Sequence, residues 1–269
     1  MLGSSRESLI ALQELVASRS ADAQFAAAAG DLLSVSALLA SDKPLRTAIV
    51  DSGTAVADRE NLVRDVFSSR IGALALDFVI AAASRRWSSE DDLVEAVEII
   101  GAQVVFAHAD AQGVIDQVEE EIFHFGRAVD ANPDLQMTLT NPALSGAAKS
   151  AVVSDVLAGR AAAGTAQLLV HTAANLRGRR VDAALTALSD IAAAQRQRVV
   201  AHVRVAIALT AEQATRMSAV LGRLAGRNVS LNVVIDPSVI GGVSVRLGDE
   251  VIDGSIANRL EQARRTLVG

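Results

Sequence analysis

The chain contains 269 residues, of which 51% are hydrophobic and 21% are charged, and its net charge is −6. This length predicts two or three domains, and the absence of cysteine excludes disulfides, thiolate catalysis and cysteine-ligated zinc or iron–sulfur centres. The acidic balance, with six phenylalanines, one tryptophan and no tyrosine, is unfavourable for nucleic-acid binding, which requires a positive field and aromatic stacking.

Apolar residues at helical spacing predict a series of helices through the first two hundred residues. Leu9, Leu12 and Val16 mark the first helix, for which Ser5 or Ser8 is the expected cap. The next helices are marked by Leu32, Val35 and Leu39, by Leu62, Val63, Val66 and Phe67 after a short apolar turn at residues 45–50, and by residues 72–87. The acidic run that follows Ser89 predicts the start of a longer helix rather than a metal site.

The same order of elements returns after about 90 residues. The matching core positions are Leu32, Val35 and Leu39 with Ile122, Phe125 and Val129; Leu45 and Ile49 with Leu135 and Leu139; Leu62, Val63, Val66 and Phe67 with Val152, Val153, Val156 and Leu157; and Phe78, Val79 and Ile80 with Leu168, Leu169 and Val170. Coincidence at this many core positions indicates two helical bundles of one design. A helix shared by both bundles and a break at Gly113 are both compatible with the junction.

From about Arg198 the period changes to the alternation of strands. Residues 203–209 and 229–235 alternate, and Thr210 with Gln213 forms a capping box for the helix between them. Residues 243–247 and 251–252 flank the hairpin turn Gly248-Asp249, and a last helix is expected at residues 256–267.

The predicted fold class is therefore α+β and mostly α, with two tandem helical bundles followed by a small α+β domain that contains a β-hairpin. The expected domains are residues 1–108, 109–197 and 198–269.

Candidate chemical motifs have simpler structural explanations. Glu121 and His124 have the spacing of a di-iron ligand pair, but the motif occurs once and is better read as part of a solvated face. Residues 145–150 resemble the tail of a phosphate loop and are better read as a helix start. Gly241-Gly242 is read as a bulge or a close backbone contact rather than a ligand cradle. We therefore expect no catalytic residue, no cofactor and no metal.

Residues 233–255 resemble the C-terminal signature of the F-type ATP synthase delta subunit, the family that includes the oligomycin-sensitivity-conferring protein. The residues that carry the signature are Asp236, Gly241, Gly242, Gly248, Asp253, Gly254 and Ser255. The resemblance extends to residues 210–224, to the bundle helices around residues 142–153 and 168–180, and to the first helix. The chain departs from the usual family member because most of the helical bundle is present twice.

The resemblance implies a non-catalytic stator that links the N-terminal helices of alpha subunits to the end of a b-type peripheral stalk. In the family the first and fifth bundle helices form the groove for alpha, which corresponds to residues 5–19 with 72–87 in bundle one. The fifth helix of bundle two corresponds to residues 164–177. The candidate alpha-contact side chains are Leu9, Leu12, Val16, Leu76, Val79 and Leu169. Residues 198–269 are the expected stalk-binding domain.

The expected location is the cytoplasmic face of the cell membrane, as a peripheral part of the synthase. We expect no direct membrane insertion, because polar residues interrupt every apolar stretch. We expect no signal peptide, because the first nine residues carry Arg6 and Glu7 and lack an apolar block. We also expect no nucleic-acid partner and no small-molecule substrate. A free-standing helical adaptor with a borrowed C-terminal domain is the alternative hypothesis. The sequence leaves open which bundle contacts alpha, what the extra bundle does, and whether a fused stalk segment is missing.

Overall fold

The computed structural model describes the backbone of residues 1, 3–20, 22–196, 198–225, 228–236, 239, 242–247 and 250–253. Its helices are α1 (Ser4–Ser18), α2 (Phe25–Ser41), α3 (Lys43–Val50), α4 (Val56–Phe67), α5 (Ala73–Ala83), α6 (Glu90–Ala111), α7 (Ile115–Ala131), α8 (Pro133–Thr140), α9 (Gly146–Leu157), α10 (Ala163–Ala174), α11 (Val181–Arg196) and α12 (Ala211–Ala225). Its strands are β1 (Arg198–Val205), β2 (Asn228–Ile235), β3 (Val243–Leu247) and β4 (Glu250–Asp253). The predicted class, α+β and mostly α, is confirmed.

Four consecutive helices recur at a constant spacing. The helices α7, α8, α9 and α10 each begin 90 residues after α2, α3, α4 and α5, respectively. Two side-chain caps recur with them: Asp42 before α3 and Asn132 before α8 each accept a backbone N–H three residues further on, at 3.0 and 3.1 Å. We call the helices that precede α6 the first copy and those that follow it the second copy.

The segment at residues 45–50 is part of a helix, so the predicted apolar turn is wrong. Asp42 and Pro44 explain the difference, because a side-chain cap and a proline in the first turn start a helix that is too short to show a clear period. The helix predicted at residues 72–87 is shorter than expected and ends at Ala83. Ser145 caps α9 as predicted by accepting from Ala148 N at 3.2 Å.

The long helix α6 lies between the two copies and is buried along most of its length. Ser89 caps it by accepting from Asp92 N at 3.2 Å, as the sequence predicts. Gly113, at φ +71°, separates α6 from α7, so the junction is broken there. Moving α1 by 90 residues places it on residues 94–108, within α6. Moving α11 back by 90 residues places it on residues 91–106 of the same helix. The helix α6 therefore serves both as the last helix of the first copy and as the first helix of the second.

The described residues form two compact units. One comprises Met1–Val16 and Asp22–Gln195, and the other carries α12 and the sheet. A single continuous core runs through the helical unit. The predicted boundary between residues 108 and 109 falls within α6, and the division of the helical unit into two domains stays a prediction.

The second unit contains a four-stranded sheet in the order β2-β1-β3-β4. The strands β1 and β2 are parallel, while β3 is antiparallel to both β1 and β4. The hairpin of β3 and β4 is as predicted, although its turn residues Gly248 and Asp249 lie outside the described residues. The strand predicted at residues 203–209 ends earlier, at Val205, and the expected last helix also lies outside the described residues.

The capping box of α12 is confirmed. Gln213 N donates to Thr210 Oγ1 at 3.2 Å, and Thr210 N donates to Gln213 Oε1 at 2.9 Å. The face of the sheet that α12 covers has its own small core, which includes Val203, Leu221 and Val245.

Within the described part of the chain, no single helix is both long and apolar enough to cross a membrane. The helices α2 and α3 reach that length and composition only when taken together, and they are bent by 103°.

Candidate partner-binding surfaces

Hydrogen bonds hold α1 against α6 and against the segment that follows α5. Ser5 Oγ donates to Asp92 Oδ2 and accepts from Ser88 N, both at 2.7 Å, and Ser8 Oγ donates to Arg86 O at 2.8 Å. These serines lie inside α1 and are buried, so their predicted role as helix caps is wrong. Their hydroxyls instead satisfy polar groups of another part of the chain.

The six candidate alpha-contact side chains do not form one surface. Leu12, Val16, Val79 and Leu169 belong to the core and are at most 2% exposed. Leu9 and Leu76 are half-buried and pack against the same core. The outward surfaces of α1 and α5 are formed by the residues that lie between these buried ones.

We call the residues that α1 and α5 present outward the face of α1 and α5. They include apolar and acidic side chains. Ile10 on α1 is 47% exposed, and Leu76 and Ile80 on α5 are half-buried one helical turn apart. The carboxylates of Glu7, Glu14 and Asp77 are exposed on the same two helices. This face therefore has the composition that suits an amphipathic helix with basic residues beside its apolar stripe.

A buried ion cluster joins α6 to the loop between α10 and α11. Arg179 Nη2 donates to Glu98 Oε1 at 2.7 Å, and Arg177 Nη2 donates to Glu98 Oε2. The side chain of Glu98 is 12% exposed. Their carboxylate partner lies about 80 residues earlier in the chain, so no local pattern could indicate this cluster.

The same cluster includes His171 of α10 and Ser36 of α2. Nε2 of His171 lies 3.3 Å from Ser36 Oγ and 3.8 Å from Glu98 Oε1, while the amide of Asn175 faces Nδ1 at 3.4 Å. With the Asn175 amide nitrogen placed at Nδ1, that ring atom accepts and Nε2 carries the proton. Burial lowers the pKa of His171, Glu98 opposes that shift, and Arg177 and Arg179 add to it.

Glu121 is more than part of a solvated face. Its Oε2 accepts from Ala162 N at 2.9 Å and from Thr165 Oγ1, and its Oε1 accepts from Gln117 Nε2 at 2.8 Å. Burial raises the pKa of Glu121, but these hydrogen bonds outweigh it, so the pKa lies below its ordinary value. The carboxylate therefore stabilises the N-terminus of α10 from the neighbouring α7.

The helical unit also has a concave region between α1, α6, α10 and α11 with a volume of about 290 Å³. Leu9, Ile99, Leu188 and Ile191 supply its apolar lining, and Glu98 and Arg179 of the ion cluster border it. The described side chains contain no group of three or more histidine, aspartate or glutamate residues that could hold a metal ion.

The residues of the C-terminal signature have structural roles where they are described. Asp236 N donates to Val205 O at 2.9 Å at the end of the parallel pair, and Asp236 Oδ2 lies 3.7 Å from Arg204 Nη1. Gly242 has φ +85°, a conformation that side chains disfavour, and Asp253 pairs with Ser244 across the hairpin. Gly241, Gly248, Gly254 and Ser255 lie outside the described residues.

Comparison with known proteins identifies the family. The profile of the family described as ATP synthase delta (OSCP) subunit matches residues 102–267. The chain belongs to the ATP synthase delta (OSCP) family. A member of this family is a non-catalytic subunit of the synthase, in agreement with the expectation from the sequence that the chain is not an enzyme.

Individual delta subunits are similar over nearly the whole chain. The ATP synthase subunit delta of Streptomyces avermitilis is 41% identical over 269 residues, which is 98% of each chain. That of Streptomyces griseus is 37% identical over 273 residues and all of both chains, and that of a Parafrankia species is 41% identical over 89% of this chain and 86% of its own. The family profile begins within α6, so it covers the second copy, whereas these delta subunits match the first copy as well.

Proposed function

We propose that the chain is the stator subunit that connects alpha subunits of the catalytic head to a b-type peripheral stalk in a rotary ATP synthase. Family membership is the observation that supports a place in an ATP synthase complex. The composition of the outward faces supports the proposed link between alpha subunits and the stalk. A stator resists torque and needs contact surfaces rather than a catalytic pocket. The proposed location is the cytoplasmic face of the membrane.

The face of α1 and α5 is the proposed contact for an alpha N-terminal helix. Its apolar residues Ile10, Leu76 and Ile80 suit the apolar stripe of such a helix. Its exposed carboxylates favour basic residues at the sides of that stripe, so binding should weaken as salt screens the charges.

The unit that contains α12 and the sheet is the proposed contact for the b-type stalk. Val220 and Leu224 are exposed four residues apart on α12, which gives that helix an apolar stripe at its surface. Val234 and Ile235 are exposed at the end of β2, an edge strand of the sheet. Apolar residues at these positions support a protein partner.

Two synthetic peptides test the proposal on the full chain: the N-terminal helix of alpha and the C-terminal segment of the b subunit, both from the same organism. Titration calorimetry should give saturable binding of each. Ile10→Asp should weaken the alpha peptide at least tenfold and leave the b peptide unaffected, while Leu224→Asp should do the reverse.

Exposed apolar positions on other helices provide the controls. Val56→Asp, at a side chain 45% exposed on α4, and Met137→Asp on α8 should change neither affinity. Absence of saturable binding to both peptides would overturn the proposal. Purification of the tagged chain from cells distinguishes the adaptor alternative, which expects companions other than synthase subunits.

A further inference from the structure

The helix α2 of the first copy packs against α6 and α10. These two helices correspond to α1 and α5, 90 residues earlier, and we call the side that they share the second face. A Cβ at Gly101 of α6 would lie 3.0 Å from Leu33 Cδ2, so the glycine allows a close approach of α2. A Cβ at Gly30 of α2 would lie 3.1 Å from Gln167 Nε2 of α10. One helical turn beyond Gln167, His171 meets Ser36 of α2 in the ion cluster.

The contact between α6 and α10 is equally close. A Cβ at Gly164 of α10 would lie 3.0 Å from Val105 Cγ1 of α6. Each of the three helix pairs in this group therefore has a glycine at a close contact. Close packing of this kind leaves no room for a further helix between α2 and the two helices that it covers.

The corresponding face of the first copy, 90 residues earlier, has a different composition. Gly101 corresponds to Ala11 of α1, and Gly164 corresponds to Leu74 of α5, so both glycines are replaced by larger residues. Gln167 is half-buried beneath α2, whereas its counterpart Asp77 is exposed.

The helices α6 and α1, the first helix of each face, also differ in charge and in burial. Val97 and Val104 lie one turn on either side of Gly101 and are fully buried. Their counterparts on α1 are Glu7 and Glu14, which are both exposed. The second face is therefore apolar and covered, while the first is acidic and open to solvent at these positions.

We infer that α2 is an internal occupant of the face formed by α6 and α10, so that the duplicated helical unit offers one face to a partner helix, that of α1 and α5. The identity of the partner as an alpha helix rests on the proposed function, but the occupation by α2 does not. The duplication therefore adds helices to the helical unit without doubling its capacity for alpha helices.

Single cysteines at equivalent positions test the occupation directly, because the chain has no cysteine of its own. Gln167→Cys and Asp77→Cys form a matched pair in the full-length protein, and their rates of alkylation by a maleimide report access to each face. Asp77→Cys should react at least tenfold faster. Equal rates would overturn the inference whether or not a peptide binds, provided that circular dichroism shows both variants folded.

The alpha N-terminal peptide then separates the inference from the proposed function. With saturating peptide, Asp77→Cys should become protected and Gln167→Cys should keep its slow rate, at a stoichiometry of one peptide per chain by calorimetry. Two peptides per chain, or faster reaction of Gln167→Cys when peptide binds, would overturn the inference. No protection of Asp77→Cys, with the rate difference intact, would reject the proposed partner alone.

A covalent link provides an independent measurement. Ser36→Cys with His171→Cys replaces two side chains whose polar atoms are 3.3 Å apart, so a short bismaleimide can join α2 to α10. Ser36 is buried and the side chain of His171 is only 10% exposed, so the link should form slowly, over a prolonged incubation. The linked chain should bind the alpha peptide with unchanged affinity. Linking as fast as the alkylation of Asp77→Cys, or loss of peptide binding on linking, would show that α2 leaves this face and would overturn the inference. The single variant Ser36→Cys, treated in the same way, is the control.

Discussion

Glu98 on α6 and Arg179 in the loop after α10 form an ion pair with a nitrogen-to-oxygen distance of 2.7 Å, although they are 81 residues apart in the chain. Arg177 binds the other oxygen of the same carboxylate. One partly buried acidic side chain thus connects the helix shared by both copies to the loop between α10 and α11.

Replacing Glu98 with glutamine should destabilise the helical unit by about 2–4 kcal/mol, because two guanidinium groups lose their partner at a site with little solvent. Urea unfolding measures the change. The control is Asp182→Asn, which breaks the exposed ion pair with Arg180 and should leave the free energy of unfolding nearly unchanged. Equal effects of the two substitutions would contradict the structural role of Glu98.

Acid should weaken the fold through His171. The pKa of this buried imidazole is below its ordinary value of 6.5, so below about that pH the unfolded chain binds a proton that the folded chain does not. Stability should fall as pH decreases through this range, by at most about 1.4 kcal/mol per pH unit for one proton.

Variants isolate the contribution of His171. The groups that face its ring are Ser36 of α2, Glu98 of α6, and Asn175, Arg177 and Arg179 after α10. His171→Gln should flatten the curve of unfolding free energy against pH below about pH 6.5. His124→Gln, at a side chain 67% exposed, should leave the curve unchanged. A curve that is the same in all three proteins would contradict the prediction.

Arg59 should contribute more to stability than its neighbour Arg64. Arg59 is buried on α4, and its Nη1 donates to Ile49 O at 3.3 Å and to Arg85 O at 3.1 Å. Arg59→Met leaves these carbonyls without that donor and should cost about 2 kcal/mol in thermal unfolding. Arg64→Met removes an ion pair with Glu60 and a hydrogen bond to Asn61 Oδ1 at 3.0 Å, both made by an exposed guanidinium, and should have little effect. Similar melting temperatures for the two variants would show that the buried arginine has no special role.

Gly242 should be required by the backbone of the C-terminal unit. Its φ of +85° makes a Cβ unfavourable, so Gly242→Ala should destabilise this unit by about 1–2 kcal/mol. Gly242→Asn should be milder, because asparagine tolerates positive φ better than alanine. Hydrogen exchange of the β3 amides measures the effect. Slower or unchanged exchange in Gly242→Ala would contradict the backbone explanation of this signature residue.

Local patterns were enough to predict the repeat, several helix starts and the hairpin. The core positions recur with the period of the helices, and the capping residues Ser89, Ser145 and Thr210 lie next to the apolar runs that they cap. The C-terminal signature identified the family because it is long and continuous in the sequence.

Contacts between distant residues could not be predicted in this way. The hydroxyls of Ser5 and Ser8 bind groups about 80 residues later in the chain, and Glu98 meets arginines from the second copy. The cover that α2 provides over α6 and α10 also depends on how the two copies pack, which no local period encodes. The choice of α1 and α5 as contact helices stays a prediction, and several of the side chains selected from the sequence belong to the core.

The shared helix α6 has a consequence for how the protein melts. Because its buried residues serve the cores of both copies, loss of either copy would expose apolar side chains of the other. We expect the helices α1 to α11 to unfold in one cooperative calorimetric transition, with no stable half-folded state. A tandem duplication that began as two repeats would then behave thermodynamically as a single body.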